Sequence, residues 1–111
     1  MHYKQLISSP NYPNDYDNNG KIDYSFRSRN GGRVTAVFTE FKTVDSGDSI
    51  TVYDWYDRTN PIDVLYGDQK GRTFTFEYGF YFVFTTDDTG AASGWRLEFI
   101  SGMFLCFDSN V

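Results

Sequence analysis

The chain of 111 residues is poor in the residues that most often carry chemistry: it has one cysteine, one histidine and two methionines. A single cysteine, Cys106, rules out an internal disulfide. It is either a free thiol or an intermolecular one, so a dimer through Cys106 is an expectation to be checked. The lone histidine, His2, stands at a terminus where order is usually poor, and Cys106 has no histidine near it in sequence. No glycine-rich phosphate loop, histidine-rich metal motif or nucleophile elbow is present. Two carboxylates can hydrolyse a glycoside, but acids confined to short turns offer little cleft. The chain therefore reads as non-enzymatic.

Other absences narrow the setting. No segment approaches the ~20 apolar residues that span a bilayer, so membrane insertion is not expected. No export signal is visible, and one is expected to have been removed or to lie outside this chain. No Asn-x-Ser/Thr acceptor for glycosylation occurs. Basic residues are outnumbered ten to fifteen by acids, giving a net charge of −5. They are dispersed from Lys4 to Arg96 without forming a stripe, which argues against nucleic acid or an anionic membrane as partner. A cation, or a basic protein surface, is the more natural complement.

What the chain does contain is aromatic: eleven Phe, nine Tyr and two Trp, 20% of the residues. With the many Thr and Val this is strand chemistry, and buried aromatics supply enough area for a core. After an extended, proline-bearing loop over 8–16, apolar residues alternate with polar ones. Ile22, Tyr24 and Phe26 share one face, with Asp23, Ser25 and Arg27 on the other. Val34 to Phe41 forms the next strand, its Phe38/Phe41 spacing breaking strict alternation near the end. Ile50 and Val52, then 73–76, then Phe80, Phe82 and Phe84, then Trp95, Leu97 and Phe99 continue the pattern, with turn signals between them. One apolar and one polar face per strand predicts an all-β, antiparallel two-sheet β-sandwich. The chain reads as one domain over 1–111, with a core at about 5–101 and a C-terminal tail at 102–111.

Specific residues then bring a family into view. Ile7-x-Ser9-Pro10-Asn11-Tyr12-Pro13-x-x-Tyr16 resembles the opening of CUB domains, and Ile22-x-Tyr24-x-Phe26 the block after it. Phe38-x-x-Phe41 and Asp48-x-Ile50-x-Val52-Tyr53-Asp54 resemble the family's central hairpin. Leu65-Tyr66-Gly67, Phe84-x-x-Asp87-x-Thr89 and Gly94-Trp95 resemble its later blocks. The match runs in order from about Ile7 to Phe99. It implies a CUB-like jelly-roll sandwich that is extracellular or at the cell surface. The usual cysteines are replaced by Ile22, Asp45 and Tyr66, which makes this a divergent member without the family disulfides.

The resemblance also implies a calcium site at one end of the sandwich. Carried over by position, Asp48 and Asp87 match two of its acids, Tyr16 matches the tyrosine that positions a ligand, and Thr89 and Gly90 fall in the loop that adds further oxygens. Val44 stands where a third acid is expected. Asp45 beside it is the first substitute and Glu40 upstream the second. Physical chemistry agrees with a divalent cation: Ca²⁺ takes six to eight oxygens, and gathered carboxylates repel one another unless a cation lies between them. Against this stands the frequency of Asp in ordinary turns. Asp15-x-Asp17-x-Asn19-Gly20 resembles the start of an EF-hand loop, but Phe26 sits where the closing Glu belongs, so these residues read as a polar turn.

Three functions are therefore carried forward. The first is a module binding a protein partner whose Lys or Arg meets a calcium-stabilised acidic site. The second is a carbohydrate-binding or adhesin module using Trp55 and Tyr56, an aromatic pair in the loop 54–61, as a stacking platform for a glycan. That pair can equally fold back over a sheet edge. The third is a structural segment of a larger surface protein.

Overall fold

The computed structural model describes residues 3–28, 32–45, 47–101 and 105–110, with only the backbone described for residues 3 and 105–110. Among the described residues there are nine strands: β1 (Tyr3–Ser8), β2 (Lys21–Ser28), β3 (Val34–Lys42), β4 (Ser49–Asp54), β5 (Asp63–Leu65), β6 (Thr73–Phe76), β7 (Gly79–Thr85), β8 (Gly94–Ser101) and β9 (Leu105–Asn110). Two antiparallel sheets form, one ordered β1-β8-β3-β6 and the other β5-β4-β7-β2-β9. The all-β sandwich expected from alternation is what is found, with no helix among the described residues. None is therefore long and apolar enough to cross a membrane.

Register explains the core. In the second sheet Tyr24 lies opposite Phe82 and Phe26 opposite Phe80 on β2 and β7, while Ile50 and Val52 of β4 face Phe84 and Phe82. Side chains of one face meet across strands in this way, and the rings of Tyr24 and Phe82 stack at 4.7 Å. In the first sheet Phe38 pairs with Leu97 and Phe41 with Trp95. A register shift between Phe38 and Glu40 corrects the phase of β3, so both phenylalanines, three residues apart, face inward. Trp95 is fully buried between the sheets, edge-on to Tyr24, Phe38, Phe82 and Phe84.

Three strands lie outside the sequence reading. β1 precedes the proline loop and pairs with β8; β5 is a three-residue edge strand beside β4. The stretch 102–111, read as a tail, contains β9, which pairs with β2 and sets Cys106 opposite Arg27 in register. The Cys106 side chain, on which a dimer would depend, lies outside the described residues. The edge at β5 is blunted: the Val64 N–H, which faces outward, donates to the Asp63 carboxylate, and Asp63 is also paired with Arg72. That arrangement disfavours pairing with a foreign strand.

Two core tyrosines make the fold sensitive to alkali. Burial pushes Tyr24 up to about 12 from an ordinary value of 10.0. Tyr16 is raised further, by burial first and then by its hydrogen bond to the Asp48 carboxylate. Below pH 10 both folded and unfolded chains keep these protons, and the stability they contribute is fully present. Above pH 10 the unfolded chain releases them first. Stability should then fall by up to about 1.4 kcal/mol per pH unit per tyrosine until the folded value is passed. Urea melts at pH 8, 10 and 11 test this. Tyr24→Phe should flatten the slope, and a slope equal to wild type would remove Tyr24 as its source.

Candidate functional site

Three connections meet at one end of the sandwich: the N-terminal loop 9–20, the β3–β4 turn and the β7–β8 loop. The first and the last are stitched by backbone hydrogen bonds from Tyr16 N to Ala92 O, Asn19 N to Asp87 O and Thr86 N to Gly20 O. Ser9 anchors the first loop. Its N–H donates to Trp95 O, and its Oγ accepts from Trp95 N at 3.0 Å. This contact requires Gly94, whose φ is +89° and on which a Cβ would overlap Ser9 Oγ. Ser9 stood in the opening motif, but nothing in the sequence marked it as the clasp onto β8.

Asp48 is the centre of this end. It is completely buried, unusual for a carboxylate, and both its oxygens are hydrogen-bonded. The Tyr16 hydroxyl donates to Oδ2 at 2.6 Å, and the Asp87 N–H donates to Oδ1 at 2.8 Å. Tyr16 Oη in turn accepts from the Val44 N–H at 3.0 Å. One carboxylate thus ties together all three connections. Asp45 and Asp87 approach the same place from either side of Gly47. A Cβ on Gly47 would overlap Asp87 Oδ2 and lie 3.2 Å from Asp45 Oδ1, so the missing side chain is what lets the two acids converge. Asp45 adopts φ +46° and its Oδ1 accepts from Gly47 N. Gly47 lies between Asp45 and Asp48 in the turn sequence, yet only the fold reveals its role.

The remaining candidates divide. Thr89 donates its N–H to Asp87 Oδ1, and Gly90, with φ +78°, packs against the Val44 side chain. Where the family resemblance expects an acid, an apolar contact between two loops stands instead. Glu40 is not gathered with the others: it lies on β3, 3.3 Å from Lys70 Nζ and opposite Arg96 in register. Asp17, from the EF-hand-like run, accepts from Asn11 and sits in the loop leading to β2. As they stand, no three acids among the described residues are close enough to hold an ion between them. The donor chemistry nevertheless suits a hard cation, with Asp45 exposed, Asp87 half-buried and none of Asp45, Asp48 and Asp87 in a salt bridge among the described residues.

Trp55 and Tyr56 lie elsewhere, after β4 on the outer side of the five-stranded sheet. They separate in exposure: Trp55 is half-buried, edge-on to Tyr78 at 5.6 Å, whereas Tyr56 is 75% exposed. The Arg58 guanidinium lies over both Trp55 and Tyr81, at 4.8 and 4.5 Å, a cation–π arrangement. One face of the Trp55 indole, of the kind a sugar would stack on, is taken by the chain's own arginine. Asp57 shapes the loop by accepting from Thr59 and Asn60, bonds that hold its carboxyl down at about 2, the Thr59 hydroxyl foremost.

Comparison with known proteins gives a consistent result. The CUB domain family model matches residues 1–99. Protein SpAN of Strongylocentrotus purpuratus is 46% identical over 39 residues, 35% of this chain and 6% of its own length. The tumor necrosis factor-inducible gene 6 protein of Homo sapiens is 26% identical over 110 residues, 88% of this chain and 38% of its own length. The chain thus spans well under half of either relative. Among solved structures, the MASP-1 CUB2 domain bound to Ca²⁺ superposes with a TM-score of 0.72 at 23% identity, covering 86% of this chain and 90% of that one. The CUB1-EGF-CUB2 segment of human MASP-1/3 gives 0.78 at 15%, covering 91% and 42%.

Proposed function

This chain belongs to the CUB-domain family, and from that footing we propose that it is an extracellular recognition module whose acidic loop end, with calcium held by Asp48, Asp87 and Asp45, receives a lysine or arginine of a protein partner. CUB domains are in general non-catalytic protein-interaction modules. The observation that carries the reading is Asp48. A carboxylate with no exposure, fixed between the Tyr16 hydroxyl and the Asp87 amide, stands behind two further acids that reach the surface. The MASP-1 CUB2 neighbour is bound to Ca²⁺, which supports the choice of ion. Bound there, calcium would supply positive charge that offsets repulsion among the carboxylates. Thr89 and Gly90 belong to the loop that would frame it, and Asp45 and Asp88 remain exposed to meet a partner's ammonium or guanidinium. Glu40, held by Lys70, has no part in this reading.

The test is a thermal melt in calcium and in chelator, with calorimetric titration. An ion that binds only the folded state, at 100 times its dissociation constant, adds about 2.7 kcal/mol, a rise of roughly 10 °C for a domain this size. No rise and no heat of binding would leave a CUB scaffold without the ion. The aromatic loop is the weaker candidate for a ligand, since Arg58 already covers Trp55. A glycan bound by wild type and lost in Trp55→Ala, with indifference to chelator, would reverse that preference.

A further inference from the structure

Beside the acidic centre, on the other side of Tyr16, is an apolar cavity of about 270 Å³ lined by Pro10, Tyr16, Ile22 and Phe84, with Asp17, Gly20, Lys21 and Thr86 completing its wall. Its lining is formed by the N-terminal loop, the start of β2 and the end of β7. Tyr16 and Phe84 meet edge to face at 5.2 Å. Thr86, in its wall, already has partners: its Oγ1 accepts from Gly20 N at 2.7 Å and donates to Asp17 O at 2.9 Å. The surface it presents is mostly apolar, and a lining of this kind is a poor site for water. Charge is confined to Asp17 and Lys21, both exposed. The volume falls below the ~300–1,000 Å³ usual for whole small-molecule ligands. It exceeds the ~150 Å³ in which an apolar cavity already holds a benzene ring. The occupant that fits is one aliphatic or aromatic side chain.

Tyr16 connects this cavity to the acids. Its hydroxyl is bonded to Asp48 while its ring lines the cavity, so a single residue is the wall between a basic-side-chain site and an apolar one. We infer that the partner presents an apolar side chain, of leucine to phenylalanine size, within a few residues of the lysine or arginine that meets the acids, and that this side chain enters the Pro10–Tyr16–Ile22–Phe84 cavity. The inference rests on the proposed reading of the acidic end, where carboxylates without a described cationic partner are complementary to a basic segment. The cavity then supplies the selectivity that a bare charge lacks, because burying a hydrocarbon side chain separates partners that share the same lysine.

The test is an array of nine-residue peptides with a central Lys, or Ser in its place, and Leu, Phe or Ser at each neighbouring position, probed with the labelled full chain in calcium. Lysine peptides with Leu or Phe at a favoured neighbouring position should bind about tenfold more tightly than those with Ser. Pro10→Asp, an exposed rim change that leaves the core intact, should erase that preference while keeping the dependence on Lys. Binding that depends on Lys but ignores its neighbours, or no preference among the peptides at all, overturns the cavity inference. A preference for Leu or Phe that is the same with Ser at the centre would keep the cavity and overturn the cation-receiving reading instead.

Discussion

Trp95→Ala is expected to lower stability by about 3–5 kcal/mol and the melting midpoint by roughly 10–20 °C. Trp95 has no exposure, and its indole touches rings from both sheets, Phe38 on its own side and Tyr24, Phe82 and Phe84 opposite. Removing it leaves a void bounded by other rigid rings, which collapse poorly into vacated space, so the loss should lie towards the top of the range for large-to-small changes. The indole Nε1–H has no hydrogen-bond partner among the described residues. Packing alone therefore fixes the side chain, and no polar network is broken by its removal. Trp95→Phe separates the two effects: it keeps one ring, removes the unpartnered donor, and should lose less than half as much as alanine. Urea denaturation of both variants measures this. An alanine variant within about 1 kcal/mol of wild type would mean that the sheets repack over the gap, and that Trp95 is not the centre of the core.

How much of this was legible in the sequence follows from the range of each signal. β2, β3, β4, β7 and β8 each carry an inward row of alternating apolar residues, so their alternation carried them, and even the bulge in β3 was visible as the Phe38/Phe41 spacing. β1, β5 and β9 could not be read this way. Lys4 and Gln5 interrupt the first, the second has only Asp63, Val64 and Leu65, and the last is defined by pairing with β2, more than 70 residues away in sequence. At the candidate site, the resemblance named Tyr16, Asp48 and Asp87, and the fold brings these three into hydrogen-bond contact. The Gly47 gap, the Ser9 clasp and the Val44–Gly90 packing depend on how three separate loops meet, which no local pattern encodes. Glu40 was a reasonable second substitute by spacing, but its place on β3 beside Lys70 follows from strand register. Arg58, one dispersed base among ten in the sequence, acquires its role only when β4 and β7 bring Trp55 and Tyr81 to either side of it.

Asp48→Ala should cost about 2–4 kcal/mol, because two donors, the buried Tyr16 hydroxyl and the part-buried Asp87 N–H, lose their acceptor together, at about 1–3 kcal/mol for each group left unpaired. The Tyr16 oxygen would still accept from Val44 N–H, so the N-terminal loop should loosen without detaching. Alanine alone cannot distinguish a structural carboxylate from an ion ligand, since it removes both. Asp48→Asn can. Its carbonyl can keep the Asp87 N–H, and its amide can donate to the Tyr16 oxygen, so the shape and most of the hydrogen bonding survive while the charge is gone. Stability without calcium should therefore fall by less than in the alanine variant, and the rise in melting temperature on adding calcium should disappear. The same rise in wild type and Asp48→Asn would show that the carboxylate serves only to tie three loops together. The acidic end would then receive a partner's cation through Asp45, Asp87 and Asp88 alone, with Asp48 as the post on which that surface is mounted.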